Sequence, residues 1–230
     1  MNKPSLKIVR RSDRLFWSGR RLVRDVYSSA WGTEPCHLCD DYDFAVLICD
    51  GDEVRGNLNI KVRTPDNLLP SEKYFRQRHW EAQYAACGGN VAELCSLAVS
   101  ASLPNRERIL VFNGLILGSH LLAMQQDIRL YATVQRSALI NTLIRIMRYP
   151  FRPSGDQTLD AAVIPDDKYW TTKPLPRLYY VSAEWATGAA SFKLLHAFLD
   201  SGLTIEGITP PVLAAEPPPP VDAELPAIAA

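Results

Sequence analysis

The clearest pattern of apolar and polar positions lies between residues 91 and 122. Residues 91–99 are mostly apolar and predict a buried strand, and the Ser, Pro and Asn residues at 100–105 predict a turn. From 107 to 122 the apolar positions go almost all the way around a helical projection, which predicts a buried helix. One carboxylate, Glu93, interrupts the strand. A buried carboxylate costs several kcal/mol unless it is paired or hydrogen-bonded, so Glu93 must have either a partner or a function.

The remaining segments predict further strands and helices. Ser12 or Asp13 is a suitable N-cap for a helix over 14–30, and Asp-Gly-Asp at 50–52 predicts a hairpin turn. In the second hairpin strand, apolar residues alternate with Asn57, Asn59 and Lys61. The predicted strands are 7–10, 44–49, 53–62, 128–134, 149–153 and 175–183, and the predicted helices include short pieces within 68–84, then 138–147 and 189–199. This order predicts an α/β protein with a mixed, mostly antiparallel twisted sheet and helices on both faces.

Composition places limits on organisation and partners. The chain is 47% hydrophobic, which suits a single domain, here predicted over 1–209. The Pro- and Ala-rich residues 210–230 predict a disordered tail. Lys and Arg balance Asp and Glu at 25 each, so the overall charge does not favour a nucleic-acid partner. The arginines are unevenly distributed, which suits either an acidic protein partner or an ordinary solvated face.

The cysteines and the apolar runs bear on location. Five cysteines, an odd count, and a start without an apolar leader predict a reducing, cytoplasmic location. The longest apolar run, 109–124, contains polar residues, so no membrane span is expected, and contact with membrane lipid is expected only through an acylated product. Cys36 and Cys39 have no second Cys or His pair at zinc-ligand spacing, so we expect no metal. A redox role for this pair is also disfavoured.

Five short patches match one protein family in order and spacing. They are Arg24-Asp-Val-Tyr27 with Trp31, Asp41-Tyr-Asp43, Gly56-Asn-Leu-Asn-Ile-Lys-Val62, Arg63-Thr-Pro65 and Glu93-Leu-Cys-Ser-Leu-Ala-Val99. Over residues 8–183 the chain resembles the GNAT acyltransferase fold. The resemblance is to the branch that contains acyl-homoserine-lactone synthases and long-chain N-acyl amino acid synthases. It implies transfer of a fatty acyl chain from a thioester to an amine.

Departures from the family pattern favour one activity over another. The lactone synthases have an arginine where this chain has Ser96, and another where it has Asn59. We therefore favour an N-acyl amino acid synthase. The alternatives are an autoinducer synthase that uses S-adenosylmethionine and a non-catalytic binding module. The turn at 100–108 has no glycine, and Pro104 lacks an N–H, which disfavours tight binding of a coenzyme A pyrophosphate. The expected donor is acyl-phosphopantetheine on acyl carrier protein, with coenzyme A as the alternative and no tightly bound cofactor.

Residue roles follow partly from chemistry and partly from the resemblance. An amine that attacks a thioester must lose a proton, and a buried carboxylate such as Glu93 suits a general base. The alternative role for Glu93 is an ion pair with an arginine such as Arg24, and the two roles are compatible. The resemblance implies three further groups: backbone N–H donors for the oxyanion at Leu97, Ala98 and Val99; amino-acid contacts at Arg24, Trp31, Asp41 and Asp43; and carrier-protein or phosphopantetheine contacts at Ser102, Arg106 and Arg108.

Several of these residues could instead have purely structural roles. Arg24 is equally well explained as a surface charge on its helix, and Trp31 fits a core position better than a substrate contact. His120, on the predicted buried helix, fits a core histidine better than a catalytic one.

Overall fold

The computed structural model describes residues 4–34, 38–75, 80–155, 157–183, 196 and 204–206. Within these residues, one sheet contains eight strands in the order β6-β7-β5-β4-β3-β2-β1-β8. Neighbouring strands are antiparallel except for the parallel pairs β4–β5 and β1–β8. The strands are β1 (Ser5–Arg10), β2 (Phe44–Asp50), β3 (Glu53–Val62), β4 (Asn90–Val99), β5 (Ile128–Gln135), β6 (Arg152–Pro153), β7 (Arg177–Ser182) and β8 (Thr204–Glu206).

Helices cover both faces of this sheet, which confirms the predicted fold class. The helices are α1 (Arg14–Trp31), α2 (Ser71–Tyr74), α3 (Trp80–Ala86), α4 (Asn105–Gln125), α5 (Ser137–Met147) and α6 (Lys168–Thr171). On one face α4 packs against β1, β2 and β3. Leu115 and Leu122 of α4 join Leu58 and Ile60 of β3 in the largest apolar cluster. On the other face α1 packs against β3 and β4.

Most predicted boundaries agree with the structure. Asp13 is the N-cap of α1, and its Oδ1 accepts a hydrogen bond from Leu15 N at 2.7 Å. The hairpin strand β3 has the predicted limits. The predicted strand at 149–153 shrinks to the two residues of β6, and β8 was not predicted. The helix expected at 189–199 lies outside the described residues except for His196, and so does the tail at 210–230.

The helix α4 is less completely buried than its pattern predicts. Its ends reach solvent, with Ile109 61% and Met124 58% exposed. It is also the one helix of the described residues that is long and apolar enough, by length and composition, to cross a membrane. Half of its apolar window is buried within the fold, and a core helix passes the same test. The packing of α4 against the sheet accounts for its apolar composition.

The strand β3 is buried on both faces, which its alternation does not predict. A strand that alternates apolar and polar residues commonly has one face in solvent. Here Leu58 and Ile60 pack beneath α4, while Asn57 and Asn59 are fully buried and Lys61 is 2% exposed on the α1 face. These polar residues therefore need partners inside the fold, and the partners form much of the candidate site.

Candidate active site

A gap in the sheet opens beside Glu93, where two parallel strands separate. The pairing of β4 with β5 ends at Glu93 and Ala132, after which β4 continues along β3 and β5 continues along β7. A cavity of about 100 Å³ occupies the opening. Its walls are formed by Tyr27, Thr33, Leu38, Cys39, Tyr42, Pro70, Tyr74, Glu93, Leu94, Cys95, Ser96, Val134, Gln135, Pro165, Asp167, Tyr169 and Trp170.

Glu93 is a buried carboxyl group that borders this cavity. It is 3% exposed, and its Oε2 accepts a hydrogen bond from Ser71 N at 2.8 Å. Burial raises the pKa of Glu93 to about 7, against the opposing effect of the Ser71 N–H. Within the described residues, no salt bridge joins Glu93 to an arginine, and Arg24 instead contacts Asp40. The predicted pairing with Arg24 is therefore not found. A carboxyl group with a pKa near 7 is suited to exchanging protons at neutral pH.

A bulge in β4 forms the next part of the cavity wall. Ser96 has a positive φ of 48°, and the β3–β4 register shifts at this point. Asn57 Nδ2 donates a hydrogen bond to Ser96 O at 3.0 Å. Because the C=O and N–H of a trans peptide point in opposite directions, the N–H of Leu97 is directed away from the Asn57 side chain.

The strand register separates the three N–H groups expected to bind an oxyanion. Ser100 N donates to Arg55 O at 2.9 Å, and hydrogen-bonded pairs alternate along an antiparallel ladder. The N–H of Ala98 therefore faces its partner Asn57 on β3, and the N–H of Val99 faces the open side. The N–H of Ala98 is therefore directed into the sheet, and the role of Leu97 and Val99 as oxyanion donors stays a prediction.

A buried arginine ties this bulge to the opposite cavity wall. Arg20 has no exposed surface and donates hydrogen bonds to Asp40 Oδ1 at 2.9 Å, Asn59 Oδ1 at 2.8 Å and Cys39 O at 2.7 Å. Its guanidinium lies 5.0 Å from the ring centroid of Tyr42, whose hydroxyl is 3.1 Å from Ser96 Oγ. The arrangement fixes residues 39–42 relative to β4.

Sequence reasoning missed Arg20, although a signal was present. The buried residues of α1 are Phe16, Gly19, Arg20 and Val23, at the three- and four-residue spacing of one helical stripe. An arginine on the apolar stripe of a helix must find partners inside the fold. The prediction chose Arg24 instead, one turn further along.

The residues expected to contact an amino acid do not line the cavity. Arg24 is 42% exposed in its side chain. Trp31 packs behind the wall against Tyr169, with ring centroids 5.5 Å apart. Asp41 Oδ2 and Asp43 Oδ1 lie 3.0 and 3.7 Å from the Lys61 ammonium. The cavity instead brings in aromatic side chains and Asp167 from distant segments, for which the sequence carries no local signal.

The expected carrier-protein residues lie at the end of β4. Ser102, Arg106 and Arg108 are exposed in the turn after β4 and in the first turn of α4. This is the end of the strand toward which the gap opens. Pro104 is the N-cap of α4 and makes no side-chain capping bond. The carrier-protein or phosphopantetheine role of these residues stays a prediction.

The cysteine pair is only partly described. Cys36 lies outside the described residues, whereas Cys39 is exposed and borders the cavity. Within the part of the chain that the structure describes, no group of three His, Cys, Asp or Glu side chains is arranged to hold a metal ion.

Comparison with known proteins identifies the fold. No protein-family model and no curated protein sequence matches the chain. Several solved structures match most of it. The AHL synthase LasI matches with a TM-score of 0.56 and 16% identity over 84% of this chain and 96% of LasI. The CoA-dependent acyl-homoserine lactone synthase BjaI matches with a TM-score of 0.59 and 14% identity, over 89% of this chain and 94% of BjaI. FeeM, an N-acyl amino acid synthase from uncultured soil microbes, matches with a TM-score of 0.51 and 13% identity, over 80% of this chain and 92% of FeeM.

The chain has the GNAT fold. At these identities the likeness establishes architecture, and the sequence-based recognition of this fold is confirmed. The strand pair β4–β5, the bulge at Ser96 and the buried Glu93 are therefore features of a protein with the GNAT fold.

Proposed function

We propose that this protein is an N-acyltransferase that moves a fatty acyl chain from an acyl carrier protein thioester to the α-amine of an amino acid. The observation that carries the proposal is the buried carboxyl of Glu93, with a pKa near 7, beside a cavity between diverging strands. The GNAT fold that the chain shares with an N-acyl amino acid synthase supports the same class of reaction. Such a reaction uses a donor present in the cytoplasm, where we expect the protein to act.

The proposed chemistry uses Glu93 of the cavity wall and two N–H groups further along β4. The ammonium group of the acceptor gives a proton to Glu93, directly or through water, and the free amine attacks the thioester carbonyl. The N–H groups of Leu97 and Val99 donate hydrogen bonds to the oxyanion of the tetrahedral intermediate. Its collapse breaks the C–S bond and releases the pantetheine thiolate, which takes the second proton lost by the attacking nitrogen as the amide forms. The proton held by Glu93 then passes to water and restores the carboxylate.

The donor is proposed from the surface beyond β4. Arg106 and Arg108 are exposed at the start of α4 and suit an acidic carrier protein. Pro104 removes one N–H from the helix entrance that would otherwise face a pyrophosphate. We therefore expect turnover with the acyl carrier protein thioester to exceed turnover with acyl-coenzyme A.

The test is product formation by the purified full-length protein. It is incubated with acyl carrier protein or coenzyme A thioesters of several chain lengths and with each common amino acid, and N-acyl products are measured by mass spectrometry. Glu93→Gln should lower the rate by about 10²–10⁴-fold, the range for removal of a general base. Glu53→Gln changes an exposed glutamate of the β2–β3 hairpin and should leave the rate unchanged. Absence of product with every acceptor, or full activity of Glu93→Gln, contradicts the proposal and favours a non-catalytic binding module.

A second candidate is acyl-homoserine-lactone synthesis from S-adenosylmethionine. The fold shared with LasI and BjaI favours it, and one BjaI structure contains S-adenosylmethionine and isopentyl-CoA. Release of methylthioadenosine from S-adenosylmethionine distinguishes this activity, because transfer to an ordinary amino acid does not produce it.

A further inference from the structure

Lys61 lies directly opposite Glu93 in the β3–β4 ladder. The register pairs the two residues, and Arg63 N donates to Val91 O at 2.8 Å two positions away. Because hydrogen-bonded pairs alternate, Lys61 and Glu93 form such a pair, with Cα atoms about 5.5 Å apart and side chains on the same face. Both side chains are buried, at 2% and 3% exposure. Opposite charges at facing positions attract each other, so an ion pair is the ordinary expectation here.

The Lys61 ammonium is nevertheless bound elsewhere. Its Nζ lies 3.0 Å from Asp41 Oδ2 and 3.7 Å from Asp43 Oδ1. Both aspartates precede β2, and β2 neighbours β3 on the side opposite β4. The ammonium is thus drawn toward β2, while the Glu93 carboxyl accepts its hydrogen bond from Ser71 on α2.

The other groups around Glu93 do not replace this cation. Glu72 on α2 acts on Glu93 as a like charge. Arg63 Nε donates to both carboxylate oxygens of Glu72 at 3.1 Å. Lys73 on α2 is exposed and acts on Asp41. The remaining titratable neighbours are side chains that are neutral at pH 7, namely Tyr74, Tyr84, Cys95, Tyr169 and Tyr180. Among the described residues, Lys61 is therefore the cation in register with Glu93.

We propose that Asp41 is a positioning residue that holds the Lys61 ammonium on the β2 side of β3 and so leaves the buried Glu93 carboxyl free to accept a proton. The catalytic consequence rests on the proposed function of Glu93 as the base. The Asp-Tyr-Asp segment at 41–43 then has a role inside the fold. It acts through Lys61 and does not contact the substrate. Release of Lys61 would allow it to pair with Glu93, and an opposite charge within about 4–6 Å lowers the pKa of a carboxyl group by about 1–3 units.

The test measures the titration of Glu93 directly, by NMR of ¹³C-labelled carboxyl groups. The Glu93 signal is assigned by its loss in Glu93→Gln. Asp41→Asn should lower the pKa of Glu93 by at least about one unit. In an active enzyme, it should also move the acid limb of the pH–rate profile to lower pH. Arg11→Gln is the matched control, because Arg11 is the other ion-pair partner of Asp41 at 3.0 Å, and its removal leaves Lys61 in place. The double variant Asp41→Asn with Lys61→Met should restore the original titration.

Two results overturn the proposal: an unchanged Glu93 titration in Asp41→Asn, or a lowered pKa that persists in the double variant. Asp43→Asn, which weakens the second contact of Lys61, gives the same test if Asp41→Asn does not fold. The NMR titration needs no turnover, so an inactive wild-type protein would count against the proposed function and leave this inference standing.

Discussion

The two faces of β3 show two different ways of filling a protein interior. Leu58 and Ile60 meet α4 through apolar side chains, where burial itself stabilises the fold. On the opposite face Asn57, Asn59 and Lys61 are buried to the same extent. Polar groups gain little from burial and lose stability when left unpaired. The candidate site lies on this second face, so the fold gives up packing stability where chemistry needs fixed polar groups.

The largest expected effect comes from breaking the polar face at Arg20. Arg20→Ala leaves Cys39 O without its donor, leaves Asn59 Oδ1 with Asn57 Nδ2 as its remaining donor, and removes a buried charge partner from Asp40. An unsatisfied buried polar group costs about 1–3 kcal/mol of the free energy of unfolding, and Arg20→Ala should cost at least that much. Arg24→Ala is the control, since this half-exposed arginine contacts the same Asp40 and should cost about 1 kcal/mol or less. Urea unfolding followed by circular dichroism measures both, and equal costs would contradict the distinction.

The next effect is a pH dependence of stability that belongs to Glu93. Its pKa is about 7 in the folded protein and 4.5 as a free side chain, so the folded state holds more protons between these values. The contribution of Glu93 to stability is therefore full below about pH 4.5, falls as the pH rises to 7 and is constant above that. A difference of about 2.5 pH units corresponds to about 3 kcal/mol.

Glu93→Gln should remove this pH dependence. Its unfolding free energy relative to wild type should improve by about 3 kcal/mol between about pH 4.5 and about pH 8. Urea unfolding of both proteins at the two pH values gives the difference directly. A constant difference would show that burial does not penalise the Glu93 carboxylate.

The smallest effect is expected at two helix glycines, one on each face, that lie close to the sheet. A methyl group added at Gly118 of α4 would lie 2.3 Å from Val46 Cγ1, and one at Gly19 of α1 would lie 2.4 Å from Asn57 Oδ1. Overpacking costs about 1–3 kcal/mol, offset by up to about 1 kcal/mol of helix propensity for alanine. Thermal unfolding should show similar losses for Gly118→Ala and Gly19→Ala. Acylation assays should show reduced turnover only for Gly19→Ala, because Asn57 orients the Ser96 peptide. Equal turnover in the two variants would remove the functional difference between the faces.

Local pattern was sufficient for much of the fold. The limits of β3 follow from a hairpin signal and regular alternation, and the start of α1 follows from the capping chemistry of Asp13. The fold class and the burial of Glu93 in a central strand also follow from local sequence.

Long-range contacts account for what local pattern could not give. Alternation in β3 cannot show whether Asn57 and Asn59 face water or another helix, because the answer depends on Arg20, far away in sequence. The cavity is closed by segments as distant as Tyr27 and Asp167, and β8 is too short to produce a pattern. The choice of Arg24 over Arg20 failed for the same reason, since only packing distinguishes the two arginines.

The short strand β8 has a consequence for solubility. Thr204–Glu206 pair with Ser5–Lys7 of β1, and Glu206 Oε2 lies 3.2 Å from Lys7 Nζ. At the other edge, β6 is two residues long and includes Pro153, which cannot donate a backbone hydrogen bond. An uncovered β1 would present free N–H and C=O groups to the same edge of another molecule. A chain cut before residue 204 should therefore self-associate through β1, while the intact sheet has both borders protected against such joining.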